Sequence, residues 1–179
     1  VASTEIRLVD PSDPTREVAA GEPGEVIARG PQIMSGYLHL PQETATALRD
    51  GWLHTGDIGR FDEEGYLVIE DRKKDLVLVG GFNVYPREID EVLMSHSDVA
   101  EAAVVGRPDD YRGETLHAFV VLKDGSSTNL EALETFCREN LVKYKVPSRI
   151  DIVDGLPKTS VGKIDKKTLK ALVSARDVA

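Results

Sequence analysis

Three short stretches of this chain hold residues whose types and spacing could do chemistry. In Gly51-Trp52-Leu53-His54-Thr55-Gly56-Asp57 a carboxylate follows Thr-Gly. This predicts Asp57 held on a tight turn, where it could accept two hydrogen bonds from a vicinal diol, bonds of the stronger, charge-assisted kind. The alternative is an aspartate that only caps a turn. In Asp71–Pro86 (DRKKDLVLVGGFNVYP) a charged run, Asp71 to Lys74, precedes an apolar run, Leu76 to Val79, and Gly80-Gly81 breaks it before Phe82. Glycine allows a close backbone approach or a positive φ, and a simple hairpin bend is the plainer use of the pair. The third stretch, Pro157-Lys158-Thr159-Ser160-Val161-Gly162-Lys163, ends in Gly-Lys. It is not a P-loop: six residues separate Gly155 from Gly162, and Ile164 stands where Ser or Thr is needed. A plain surface lysine is the alternative reading of Lys163.

The elements that must position these residues follow from the hydrophobic pattern. Residues 4–9 alternate polar and apolar, as a half-buried strand does. Asp10 to Pro23 reads as a loop and Gly24–Gly30 as a second strand. A third strand is expected at Met34–Leu38 and a short helix at Pro41–Leu48. Ile58–Phe61 and Tyr66–Ile69 predict a hairpin leading into the charged joint. Pro86 suits a first helical turn, with Ile89, Val92 and Leu93 on one face over 86–95. Beyond it come a strand around Ala102–Val105, a polar turn at Pro108–Gly113 and a strand around Leu116–Leu122. A helix over 129–141 is expected to turn Leu130, Leu133, Phe136 and Cys137 inward. A strand at Arg149–Val153 follows, then a last helix over 165–175 with Leu169, Leu172 and Val173 inward and Asp165 as its cap.

Composition narrows the classes. With 179 residues and periodic apolar positions, a packed core of one domain or two small ones is expected. No apolar run approaches a membrane span and no signal-peptide pattern opens the chain. The single Cys137 excludes an internal disulfide, fits a reducing compartment and reads as a core residue. His39, His54, His96 and His117 show no metal-ligand spacing. The net charge of −9 argues against a general nucleic-acid or membrane surface. It is uneven: residues 1–142 carry −14 and residues 143–179 carry +5. That basic segment suits either a local anionic ligand or a solvated helix face.

These stretches together resemble the adenylate-forming enzymes, the superfamily of acyl-CoA synthetases, luciferases and peptide-synthetase adenylation domains. The block D-R-K-K-D…G-G-F-N-V-Y-P is most similar to the fatty-acid–CoA ligase branch. Gly24-Glu25-Val26-Ile27-Ala28-Arg29-Gly30 and its continuation to Leu38 resemble a strand motif of the family's large domain. The resemblance implies an α/β (α+β) fold. Residues 1–71 would be the β-rich end of the large domain. Residues 72–179 would be a small mobile C-terminal domain, a three-stranded sheet with flanking helices and a two-stranded ribbon, with the hinge at 71–75. It implies Asp57 and Arg72 as ligands of the ATP ribose, Lys74 as the pivot, Gly80 and Gly81 along the CoA route, and Lys163 as the adenylation lysine.

The family's Ser/Thr/Gly-rich phosphate loop and its Tyr-Gly-x-Thr-Glu motif, whose Glu helps bind magnesium, are absent from the chain. The expectation is therefore a C-terminal fragment, inactive alone, of an ATP-dependent acyl-CoA ligase. ATP, CoA and Mg would serve the full-length parent; none is required for the fragment to fold. Carboxylic acid, ATP and CoA would be its small-molecule partners through the large domain, with no nucleic acid and no transmembrane segment. A cytoplasmic location is implied, compatible with peripheral membrane association of the parent. Two alternatives stay open: an adenylation domain that loads a carrier protein, and a non-catalytic module that binds nucleotide or a partner.

Overall fold

The computed structural model describes residues 3–176, which divide into two units between Lys74 and Asp75. The first unit is an antiparallel sheet built around one long strand. Its strands are β1 (Glu5–Val9), β2 (Gly24–Arg29), β3 (Leu48–Arg49), β4 (Trp52–Phe61) and β5 (Leu67–Arg72), with helix α1 (Pro41–Ala47) before β3. β4 pairs with β2 along one edge, and with β3 and then β5 along the other. Leu8, Val9, Val26, Ile27 and Ile58 form its small core. The β4–β5 hairpin turns at Asp62, whose side chain accepts the N–H groups of Glu64 and Tyr66.

Two expectations fail in this unit. Met34–Leu38 is not a strand but a run of turns and bends. The Tyr37 N–H that a ladder would need goes instead to the Thr44 hydroxyl on α1, at 2.9 Å. The alternation in β1 is broken as well: Leu8 and Val9 are both buried, while Ile6 is exposed. The N–H of Val18 donates to the Leu8 carbonyl and Val9 bridges Glu17, so the following loop folds back along the end of the strand.

The second unit is an α/β layer. Strands β6 (Val77–Val79) and β7 (Phe82–Val84) form a short ribbon, followed by α2 (Pro86–Met94), β8 (Val99–Asp109), β9 (Gly113–Leu122), α3 (Leu130–Asn140), β10 (Arg149–Ile152) and α4 (Lys166–Arg176). β9 is central, antiparallel to β8 and parallel to β10, and it meets the ribbon at Val79↔Gly113. The parallel pairing needs a crossover, and α3 supplies it. Successive residues of β8 and β9 face opposite layers. Ala102, Val104, Leu116, Ala118 and Val120 join the core under α2 and α3. Ala103, Val105 and Phe119 join Leu156, Leu169 and Val173 of the layer under α4. Burial on both faces explains why these strands read as continuous apolar runs.

Three details differ from expectation here. Pro108 lies inside β8, and the turn is confined to 110–112, where Asp109 accepts the N–H groups of Tyr111 and Arg112. Leu130 and Leu172 are exposed, not inward. Leu130 immediately follows the cap Asn129, which accepts from Ala132 N, and so sits at the open end of α3. The core under α4 is one stripe wide, and Leu169 and Val173 fill it.

Cys137 is fully buried in the first of these cores, and burial pushes its thiol up to about 11. Since the thiolate is the nucleophile, alkylation of the native chain at pH 8 should run at least about a hundredfold slower than in denaturant. Mass spectrometry after timed quenching measures both rates.

Candidate functional site

Asp57 sits on a strand, not on the tight turn expected for it. Between the pairs Glu25↔Ile58 and Ile27↔His54, β2 spends one residue where β4 spends Thr55, Gly56 and Asp57, so β4 bulges. The bulge needs a left-handed residue, and Gly56 supplies φ +70°. It also strands backbone groups, which the Thr55 hydroxyl serves twice: it donates to the Val26 carbonyl at 2.8 Å and accepts from the Asp57 N–H at 3.1 Å. Thr-Gly-Asp is thus the sequence of a bulge that aims one carboxylate. Across the ladder Asp57 pairs with Arg72, whose Nη1 lies 3.0 Å from Oδ1. Both side chains stay partly open, 32% and 52% exposed.

Behind this pair lies a second, buried group. The Glu25 carboxylate, 3% exposed, takes Lys73 Nζ at 2.8 Å, and the same Oε2 lies 3.4 Å from His54 Nδ1. Burial pushes the Glu25 carboxyl up, but the bond and charge of Lys73, helped by His54, outweigh it and hold it below the usual carboxylate range. These residues open onto a groove of about 810 Å³, lined also by Tyr37, Leu40, Thr55 and Arg72.

In the second unit Gly80 and Gly81 form the two-residue bend of the β6–β7 ribbon, with φ +57° and +86°. Positive φ at both positions is the pattern of hairpins that match strand twist. A Cβ at either position would meet nothing within 4 Å, so the bend faces open space. Beside it Phe82 stacks on Tyr144, centroids 4.6 Å apart.

Lys163 is exposed on a closed loop. Thr159 N–H donates to its carbonyl at 2.7 Å, Gly162 N–H donates back to Thr159, and Lys158 bridges Ile164. Leu156 and Ile164 root the loop in the core under α4. Asp165 caps the helix, accepting from the backbone of Lys167 and Thr168 and from the Thr168 hydroxyl. Those bonds hold the Asp165 carboxyl below its ordinary value.

The structure therefore brings Asp57 and Arg72 together. Lys74 closes the first unit, and Gly80, Gly81 and Lys163 belong to the second. Sequence reasoning missed Glu25, His54 and Lys73 as a cluster. One signal was present: a lone carboxylate within the apolar run of β2. It also missed Asp90, 8% exposed, which accepts Val104 N–H at the outer edge of β8 and pairs with Lys166 at 2.7 Å. Among the described residues no group of three or more His, Cys, Asp and Glu could hold a metal ion.

The fold and these motifs define a class. Residues 88–163 match the AMP-binding enzyme C-terminal domain, and the relatives that the whole chain resembles include long-chain-fatty-acid–CoA ligases and 2-succinylbenzoate–CoA ligases. Over 159 residues it is 53% identical to a long-chain-fatty-acid–CoA ligase of Bacillus subtilis, covering 88% of this chain and 28% of that protein. ATP-bound MatB from Rhodopseudomonas palustris matches with TM-score 0.88 and 35% identity, over 96% of this chain and 34% of that one. The Bacillus subtilis o-succinylbenzoate CoA synthetase, solved with an acyl-adenylate, matches with TM-score 0.85 and 36% identity, over 95% and 34%. The chain thus spans less than a third of the curated relatives it matches.

Folding and binding should separate at the bulge. Thr55→Val strips two part-buried backbone groups of their partner and should cost about 1–3 kcal/mol. Asp57→Asn breaks a half-exposed ion pair and should cost under about 1 kcal/mol. Urea unfolding of both variants measures the contrast.

Proposed function

We propose that this chain is the C-terminal part of an ATP-dependent acyl-CoA ligase that activates a carboxylic acid, a fatty acid in the first instance, and passes it to CoA. The observation that carries this reading is the Asp57–Arg72 pair. A bulge-fixed carboxylate beside a guanidinium offers acceptor and donor together at a half-open surface, which suits a ribose diol. Identity to a long-chain-fatty-acid–CoA ligase supports the acid class and the thiol acceptor. The exposed Tyr37, Leu38 and Leu40 beside the groove form an apolar rim of the kind a further part of a larger protein covers.

In this reading an acid oxygen forms a bond to the α-phosphorus of ATP, and the bond to the bridging oxygen breaks to release pyrophosphate. The CoA sulfur then attacks the acyl carbon and AMP leaves. The first step brings two anions together and needs a cation. A lysine ammonium at ~4 Å is worth roughly 4 kcal/mol at an effective dielectric of about 20, and little in open water. Lys163, exposed on a closed loop and with no side-chain partner among the described residues, is the group to be carried into the parent's phosphate site. Lys74 is the pivot, and the Gly80-Gly81 bend lies along the thiol's route, its open side giving the pantetheine arm room. Magnesium would be bound by the parent outside these residues. Among the described residues no helix is long and apolar enough to cross a membrane.

The test is Lys163→Ala in the full-length parent, with each half-reaction followed separately. Adenylate formation should fall by about 10²–10³, the usual cost of one preorganised group. Thioester formation from supplied acyl-adenylate should persist. Adenylation surviving within about threefold, well short of that usual loss, makes Lys163 a surface lysine. The isolated chain should show only background ATP–pyrophosphate exchange with a panel of acids, and robust turnover there would overturn its assignment as a dependent part.

A further inference from the structure

We propose that Glu114 is a positioning residue for the Gly80-Gly81 bend, its carboxylate holding the β6–β7 ribbon at the angle that thioester formation needs. The inference rests on the reading of that bend as part of the thiol's route and adds what fixes it there. The ribbon joins the sheet of its unit at one ladder pair, Val79↔Gly113. The next rung would join Leu78 to Glu114, and there the ladder stops. The Leu78 N–H that a ladder would give to a backbone carbonyl goes instead to Glu114 Oε2, at 2.9 Å. A carboxylate on a flexible stem reaches further than a carbonyl and accepts more strongly. It ties the ribbon down while letting it diverge from the sheet.

Room for this side chain is built into the adjoining strand. A Cβ on Gly106 of β8 would stand 2.8 Å from Glu114 Oε1 and 3.1 Å from the Val77 side chain. Gly106 is not among the glycines of positive φ, so the position uses its missing side chain and not its backbone freedom. The bend has two further holds. Gly80 N–H donates to the Arg112 carbonyl at 2.9 Å, in a turn that Asp109 closes by accepting the N–H groups of Tyr111 and Arg112. On the other strand Phe82 stacks on Tyr144. Glu114 acts on β6 itself, two residues before the bend. Its bond lies at the exposed surface, where water can take over the N–H. Losing it therefore disturbs the placing of the bend more than the folding of the unit.

Two measurements test this. In ¹H–¹⁵N spectra of the 179-residue chain, Glu114→Ala should strip the Leu78 amide of exchange protection and shift the Gly80 and Gly81 amides, leaving α3 and α4 unmoved. Gly106→Ala, which keeps the carboxylate but crowds it aside, should move the same amides. Glu114→Gln, which keeps an acceptor, should move them least. In the full-length parent, Glu114→Ala should lower thioester formation from supplied acyl-adenylate about 10- to 100-fold relative to adenylate formation, the order of cost of a small misplacement. Glu114→Gln should restore most of it. An equal loss in both half-reactions, or no shift at Gly80 and Gly81, overturns the proposal. Gly81→Leu in the parent separates its failure from that of the reading beneath it. If Gly81→Leu blocks thioester formation and Glu114→Ala does not, the route stands and the positioning role falls. If Gly81→Leu spares thioester formation, the bend is off the thiol's route and the proposal goes with it.

Discussion

A carboxylate taken out of water must find a partner, and three buried acids, Glu25, Asp71 and Asp90, set the frame of this chain. An unpaired buried charge costs several kcal/mol, so each acts as a demand that a partner must meet. Glu25 is met by Lys73, Asp71 by the Arg72 N–H, and Asp90 by Val104 N–H and Lys166. The first ties the residue after β5 to β2 of the same sheet. The third satisfies the buried N–H of Val104 on the outer edge of β8 and draws in the first turn of α4.

The residues assigned to ligands follow the opposite rule. Asp57 and Arg72 are half-open and, among the described residues, their side chains pair with each other, so a ligand can take over their bonds at little cost. Lys163 is exposed and its ammonium has no partner among the described residues, while its backbone is fixed by the Thr159 bonds and the Asp165 cap. Rigid backbone under a replaceable side-chain contact is how binding residues are held ready without being used up by the fold. Buried pairs hold the geometry, and open pairs are left for chemistry.

The legible parts of the sequence were those governed by local rules. Pro86 and the Ile89–Leu93 spacing marked α2, the run from Asp62 to Gly65 marked the β4–β5 turn, and Asp165 marked a cap. Gly80-Gly81 read correctly as a bend. What failed depended on partners far along the chain. Met34–Leu38 has strand-like residues, yet Thr44 removes a needed N–H from the ladder. The Thr-Gly-Asp motif marked Asp57, but its bulge exists only relative to the register of β2. Leu130 and Leu172 fit a helical period, and only the width of the core under each helix excludes them. The Glu25–Lys73 and Asp75–Lys170 pairs left no local trace, since no periodicity connects residues so far apart.

The basic excess of residues 143–179 posed a choice between an anionic ligand and a solvated face, and most of it is neither. Lys145 pairs with Glu88, Arg149 with Asp151, Lys158 with Glu101, Lys166 with Asp90 and Lys170 with Asp75. These cations are largely cancelled where they stand, and all but Arg149, whose partner lies on its own strand, tether one element to another. A broad positive field that would steer any anion to the segment is therefore weak, the more so at physiological salt, where exposed charges are screened within about 8 Å. Lys163 cannot owe a phosphate role to its neighbours' charge. If it has that role, it has it because a closed loop, a capped helix and two fastened turns of α4 deliver one ammonium to a defined place.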